Sequence, residues 1–339
     1  MKKIIIALIF LGMGLITFGA QAQAATLNDV MSAGELRCGV RDGLPGFSQE
    51  DSAGNWSGFD VDICRAVAAA VLGDSTAVKF VPLSAAAQFT ALLSSEIDLL
   101  ARNTVWTATR DVSLGLNFIA PIFHDGQGFL VKKEANVDRP SQLDGATFCI
   151  HPGSSAELNL TDFFRSNSMS YKSVTFDTFE ASVRGFDSNL CNVLTHQISQ
   201  LAGLRTRLSD PESAVLLQKT ISNEPLGPVV RQNDDEWFNV VKWVLFGQIN
   251  AEQHNITSNN IESMLESDKW SVQRIVGSNG NMAEILGLSN DFMVDVVSQV
   301  GNYGEMFERN LGPDTPVGLQ RGINALWTDS GILYAPPFR

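Results

Sequence analysis

The residues with the clearest chemical potential lie between Ser94 and Asp111, in SSEIDLLARNTVWTATRD. A short apolar strand, Ile97 to Leu100, leads into Asn103, Thr104 and Thr107, and Arg110 follows about one helical turn beyond Thr107. A strand ending in amide and hydroxyl side chains, with a guanidinium fork just past it, offers several donors to one small anion. A carboxylate suits that fork. Taken alone, the same residues also fit a polar loop whose Arg110 pairs with Asp111. A second anion signal is Gly153-Ser154-Ser155, ahead of a helix with apolar Leu158, Leu160, Phe163 and Phe164. Small residues there expose successive N–H groups at the positive end of a helix dipole, although the segment alone is first an ordinary N-cap.

Other chemistries find little support. His124, His151, His196 and His254 are scattered without metal spacing, and there is no CxxC, so neither a metal nor a cofactor is expected. Cys38, Cys64, Cys149 and Cys191 make an even count, which in an oxidising compartment means two disulfides with three possible pairings.

The elements that must position these residues alternate in type. Leu36 to Val40 reads as a strand, followed by a Gly- and Pro-fixed loop through Phe47. Gly58 to Arg65 opens a helix through Leu72, with Asp60 and Asp62 placed to cap its first turn. Strands at 78–82, 97–100, 147–150, 174–176 and 191–194 alternate with helices at 84–93 and 179–186. This order predicts mostly parallel sheets flanked by helices, an α/β fold whose ligands sit beyond the carboxyl ends of the strands. Segments 116–121 and 224–231 are extended and could carry the chain between two units. The remainder reads helical, including one helix over 291–310 with Ser289 and Asn290 at its N-cap.

Residues 1 to 24 have a basic start, an apolar run from Ile4 to Phe18 and small residues up to a cut after Ala24, the pattern of a secretory signal peptide. The product is expected to be exported and soluble. The formal charge is −13, becoming −15 once Lys2 and Lys3 leave, which argues against nucleic acid or anionic membranes as partners. About 315 mature residues exceed one compact core, so two lobes are expected.

Gly58-Phe59-Asp60-Val61-Asp62 before an Ala-rich helix, ARNTVWTATRD, HPGSSAEL, and the tail from VGNYGEMFERN to YAPPFR resemble the periplasmic general L-amino-acid binding proteins of ABC importers. The resemblance implies the two-lobed type 2 periplasmic binding protein fold with two crossing hinge strands. It places the first lobe at 25–120 and 229–339, the second at 128–222, and the hinges at 121–127 and 223–228. It implies disulfides Cys38–Cys64 and Cys149–Cys191, one per lobe. It also implies that Arg110, with Thr107, clamps a ligand α-carboxylate, next to the Thr104 already read at the strand end, and that Gly153, Ser154 and Ser155 add N–H groups to it. Phe47 and Trp106, with Leu44, are placed to wall the apolar part.

The sequence departs from the family where an acidic residue normally takes the α-ammonium. Asn192 and Gln197 stand at both aspartate positions of the Cys-Asp-x-x-x-x-Asp pattern, and Gln88 stands where a basic residue is expected. A neutral hydrogen bond is worth ~0.5–1.5 kcal/mol against ~1.5–3 for a charged one, so roughly tenfold in affinity is at stake. The expectation is therefore weaker amino-acid binding, or a ligand whose nitrogen is neutral, acylated or absent. The expected function is capture of an amino acid or related small carboxylate by a monomer that delivers it to an inner-membrane ABC permease. A sensor or scaffold that has lost transport, and a dehydratase of small carboxylic acids using His196 or His151, are the alternatives.

Overall fold

The computed structural model describes residues 26–41, 43–152 and 154–339. The signal peptide expected over residues 1–24 and the Gly153 of the expected anion cradle lie outside the described residues.

Two five-stranded sheets organise the chain. The first has the order Val78–Pro82, Leu36–Val40, Leu99–Leu100, Val229–Arg231, Leu116–Phe118. The second has the order Lys172–Thr175, Thr147–Ile150, Val193–Gln197, Gln127–Lys132, Ala214–Leu216. Neither is mostly parallel. In each, the inner α/β strands pair in parallel, while one strand entering from a crossing runs antiparallel to both its neighbours: Val229–Arg231 in the first, Gln127–Lys132 in the second. Between the sheets, Phe123–Asp125 pairs antiparallel with Glu224–Leu226, with Glu224 opposite Asp125. The chain therefore passes between the sheets twice, through one two-stranded ribbon.

The helix Phe59–Leu72 shows why the sequence folds this way locally. Twelve of its side chains are buried, among them a run of alanines that lets the helix lie close to the sheet and the helices beside it. It starts after Gly58, whose φ of 131° favours glycine and where a Cβ would lie 2.2 Å from the Phe47 carbonyl oxygen. Asp60 and Asp62 do not cap it, since no side-chain cap is made there. Both are buried instead. Asp62 accepts from Arg309 and Asn310, each at 2.6 Å, and so ties this helix to the C-terminal part of the chain.

Cys38–Cys64 and Cys149–Cys191 are disulfide-bonded, closing loops of 26 and 42 residues. Loops of that length imply ~3–4 kcal/mol each on chain-entropy grounds. The first bridge joins a central strand of the first sheet to the helix Phe59–Leu72, and the second joins two segments of the second sheet's unit.

The expected helix over 291–310 is two, Phe292–Gln299 and Tyr303–Asn310, broken at Gly301 with φ 95°. Asn302 caps the second through a reciprocal box with Glu305. The expected cap at Ser289 and Asn290 is replaced by Asp291, which makes no side-chain cap bond. Both helices pack on Phe59–Leu72 and on the long helix Asp235–Gln253. Beyond them the chain reaches the crossing ribbon. The Asn324 amide accepts from the His124 N–H at 2.6 Å and donates to the His124 carbonyl at 3.0 Å, and the Tyr303 hydroxyl donates to the Ile122 carbonyl at 2.6 Å. Among the described residues no helix is long and apolar enough to cross a membrane.

Candidate ligand cleft

A cleft of about 740 Å³ opens between the two sheets. Its walls take Arg41, Gln88, Arg102, Asn103, Thr104 and Arg110 from the first unit and Gln127, Ser154, Glu180, His196, Gln197 and Gln200 from the second. Glu224 enters from the crossing ribbon.

Arg110 sits in the helix Ala108–Ser113, whose N-cap Thr107 accepts from the Arg110 N–H at 3.3 Å. Thr107 is exposed and does not line the cleft; its part is to set the helix that carries Arg110. The guanidinium donates to the Val105 carbonyl at 2.8 Å and lies 5.6 Å over the Phe89 ring, which leaves the rest of its fork for the cleft. Burial pulls its pKa down and Glu224 opposes that shift. Thr104 is buried and donates to the Gln88 amide at 3.1 Å, so Gln88, neutral where a basic residue was expected, positions Thr104.

On the opposite wall Ser154 lines the cleft while capping the helix Ser155–Ser166, accepting from the Glu157 N–H at 3.2 Å. Ser155 is the first residue of that helix. Gln197 ends the strand Val193–Gln197 and lines the cleft. Asn192, the other departure from the family pattern, is exposed; its amide accepts from the Thr147 N–H at 2.9 Å, a bond within the sheet.

The apolar wall expected from Phe47, Leu44 and Trp106 is not in the cleft. Phe47 and Leu44 are buried in the main core, with Phe47 packed edge-on against Phe59 and Phe123 at 6.3 and 5.6 Å. Trp106 stacks on Phe118 at 5.3 Å, behind the loop that carries Thr104. Large aromatic faces gain more from core contact than from the rim of a polar cleft, and these sit accordingly.

Sequence reasoning missed Arg41, Arg102, Glu180, Gln200 and Glu224. Arg41 and Arg102 follow strands of the first sheet, in loops already expected to face a ligand, and their type was the available signal. Glu224 had none, because an extended crossing strand shows no local mark of which side chain faces the cleft. Its carboxylate accepts from the Ser222 hydroxyl at 3.0 Å and from Asn159 at 3.4 Å. Burial raises its pKa, while Ser222, the Arg110 charge and the neighbouring Gln197 amide oppose the shift.

A polar network crosses the cleft. Gln200 accepts from Arg41 at 2.8 Å and donates to Asn103 at 3.0 Å and to Gln197. Arg41 also faces Glu180 at 3.5 Å. Burial and then repulsion from Arg41 bring Arg102 down to about 10, with Arg110 a further repelling charge. Among the described residues, the buried donor Asn103 Nδ2 closes no hydrogen bond, and Gln197 Nε2 has only its loose contact towards Glu224. A site so rich in donors, with one half-buried carboxylate, suits an acceptor-rich anion that also carries a cationic group. Among the described residues no cluster of His, Cys, Asp and Glu could hold a metal ion.

Comparison with known proteins agrees with this geometry. The general L-amino acid-binding periplasmic protein AapJ of Rhizobium johnstonii is 46% identical over 332 residues, covering 97% of each chain. The glutamate/glutamine/aspartate/asparagine-binding protein BztA of Rhodobacter capsulatus is 45% identical over 319 residues, covering 94% of each. A solved ABC transporter periplasmic binding protein from Brucella ovis with glutathione bound has a TM-score of 0.88 at 45% identity, covering 93% of this chain and 100% of that one. With its two sheets, its ribbon of crossings and residues 36–271 matching the family profile, the chain belongs to the bacterial extracellular solute-binding proteins, family 3.

Proposed function

We propose that the protein captures an amino acid or closely related small carboxylate outside the cytoplasm, closes its two lobes on it and delivers it to an inner-membrane ABC permease for uptake. The observation that carries this reading is the presence of Arg110 and Glu224 in one cleft, a cation for the α-carboxylate and an anion for the α-ammonium. Glu224 supplies from the hinge the charge that Gln197 lacks, so weakened amino-acid binding is no longer expected. The names of AapJ and BztA and the glutathione in the Brucella ovis structure all refer to solutes with an α-amino acid group. In this reading the protein acts as a periplasmic monomer after loss of residues 1–24. Its lobes are 25–120 with 229–339 and 128–222, hinged at 121–127 and 223–228.

The family is one of solute-binding proteins rather than enzymes. The cleft chemistry agrees. Burial, with Arg41 and His151 nearby, pushes the His196 pKa down to about 3, so this imidazole is neutral and a weak base at pH 7. His151 is engaged through Nδ1 with the Phe176 carbonyl at 3.1 Å. Titration calorimetry with the common amino acids tests the proposal. Binding is expected, weakened roughly 10- to 100-fold or more in Arg110→Ala, the loss of a charge-assisted fork. Silence across the panel would favour a sensor or scaffold instead.

A further inference from the structure

The cleft holds more positive charge than one carboxylate uses. Arg102 donates Nε to the Leu83 carbonyl at 2.7 Å, and its terminal nitrogens have no protein acceptor among the described residues. Neither Arg102 nor Arg110 has a carboxylate within ion-pair distance there: Asp60 acts on Arg102 from beyond that distance and burial pushes it up to about 7, while Arg41 is only loosely matched by the half-exposed Glu180. A guanidinium taken partly out of water without a carboxylate favours an anionic ligand over a neutral one.

The order of groups matters as much as their number. Asn159 donates both to Glu224 and to Gln127, the cross-strand partner of Gln197; Gln197 joins Gln200; Gln200 joins Asn103 and Arg41; Arg102 adjoins Asn103 in the chain. Between the Arg110–Glu224 end and the Arg102–Arg41 end lie two buried amide groups: Asn103 Nδ2, without a partner among the described residues, and Gln197 Nε2, which has only a loose contact towards Glu224. They call for acceptors in the body of the ligand. The size of about 740 Å³ sits in the upper part of the ~300–1,000 Å³ range of small-molecule sites.

We infer that the cleft is built for a side-chain-linked acidic peptide: an α-amino acid head on Arg110 and Glu224, an amide body along Asn103 and Gln197, and a second carboxylate on Arg102 and Arg41. The linkage follows from the head. Arg110 donates to the Val105 carbonyl at 2.8 Å, and the next N–H, that of Trp106, donates at 2.8 Å to the carbonyl of Pro225, beside Glu224, so both charges stand at one end of the cleft. An ammonium and a carboxylate on one carbon meet both, whereas an α-linked peptide separates them by at least one residue. A γ-glutamyl peptide keeps both on its first carbon and extends through its side chain.

This inference rests on the capture reading, and calorimetry with five probes separates the two. The probes are γ-L-glutamylglycine, its C-terminal amide, α-L-glutamylglycine, L-glutamate and L-glutamine. The γ-linked acid is expected to bind about tenfold or more tighter than both its amide and the α-linked isomer, one charge-assisted contact in each comparison. In Arg102→Gln, and separately in Arg41→Gln, the ratio of acid to amide affinity is expected to fall to within about threefold, with circular dichroism reporting that each variant is folded. Equal affinity for acid and amide, equal affinity for the two isomers, or L-glutamate binding more tightly than the γ-linked acid would overturn this inference and leave capture standing. No binding by any of the five would overturn both.

Discussion

Glu224 and Arg110 reach the same cleft from different elements, one from the ribbon between the sheets and one from the helix behind Thr107, and each shifts the other's ionisation. Opposite charges lining one half-buried site match the two charged groups of an α-amino acid. Because Glu224 sits on a crossing strand, ligand contact there bears on the part of the chain that must bend when the lobes close.

Removing only the Glu224 charge tests its role. Glu224→Gln is expected to weaken binding of L-glutamate about 10- to 100-fold by calorimetry, the worth of a charge-assisted bond. Glutarate, which lacks the ammonium, should bind the variant at least as well as it binds the native protein. Burial raises the Glu224 pKa, so the carboxylate form is lost as pH falls through a value above that of an ordinary glutamate. L-Glutamate affinity of the native protein should therefore decline on acidification earlier than that of Glu224→Gln.

Gly203 is a point of close approach between the two units. It lies in the helix Ile198–Arg205, and a Cβ there would stand 2.6 Å from the Pro45 carbonyl oxygen, across the cleft in the first unit. Gly203→Ala is expected to hold the lobes apart and reduce ligand affinity about tenfold, a population shift of about 1.4 kcal/mol. The ligand-free unfolding temperature should change little, because an open arrangement relieves the contact. Unchanged affinity would mean that closure tolerates the methyl group.

Asn324 joins the C-terminal extension to the crossing ribbon through both backbone groups of His124. Asn324→Ala removes both partners and is expected to cost about 1–3 kcal/mol in urea unfolding. Asn324→Asp keeps an acceptor for the N–H and should recover part of that loss. No change in either variant would show that the ribbon does not depend on the extension.

Asp60 and Asp125 give the ligand-free protein a particular acid–base profile. Burial pushes each carboxyl from 3.8 up to about 7, against Arg102 and Arg41 for Asp60 and against bonds from Ser199 and Gly126 for Asp125. A folded-state pKa above the unfolded one adds stability that is full below pH ~4 and is lost as pH rises through ~7. Unfolding in urea at pH 5 and pH 8 should show this loss, and Asp60→Asn should flatten it. A native profile flat across that range would contradict the shift.

Much of this architecture was legible because it rests on local pattern. Gly58 and the alanine run announce the helix Phe59–Leu72, and the polar edge from Asn103 to Arg110 marks a strand end that does line the cleft. The family resemblance brought the cysteine pairs, which residue spacing left open. What failed depended on long-range geometry. Asp62 reads as a helix cap until Arg309 and Asn310, far along the chain, are seen to claim it. Phe47 lies in the loop that begins at the cleft-lining Arg41, yet Phe59 and Phe123 draw its ring into the core. Glu224 was hidden because which face of a short crossing strand meets the ligand is set by the ribbon, not by residue type.

The most direct test is native mass spectrometry of the full chain expressed for export, before and after addition of L-glutamate, beside Arg110→Ala treated identically. The account expects a single added mass on the native protein, that of a solute bearing an α-amino acid group, and its loss or strong depletion in Arg110→Ala. Equal occupancy in both proteins, or a bound solute without a carboxylate, would contradict it.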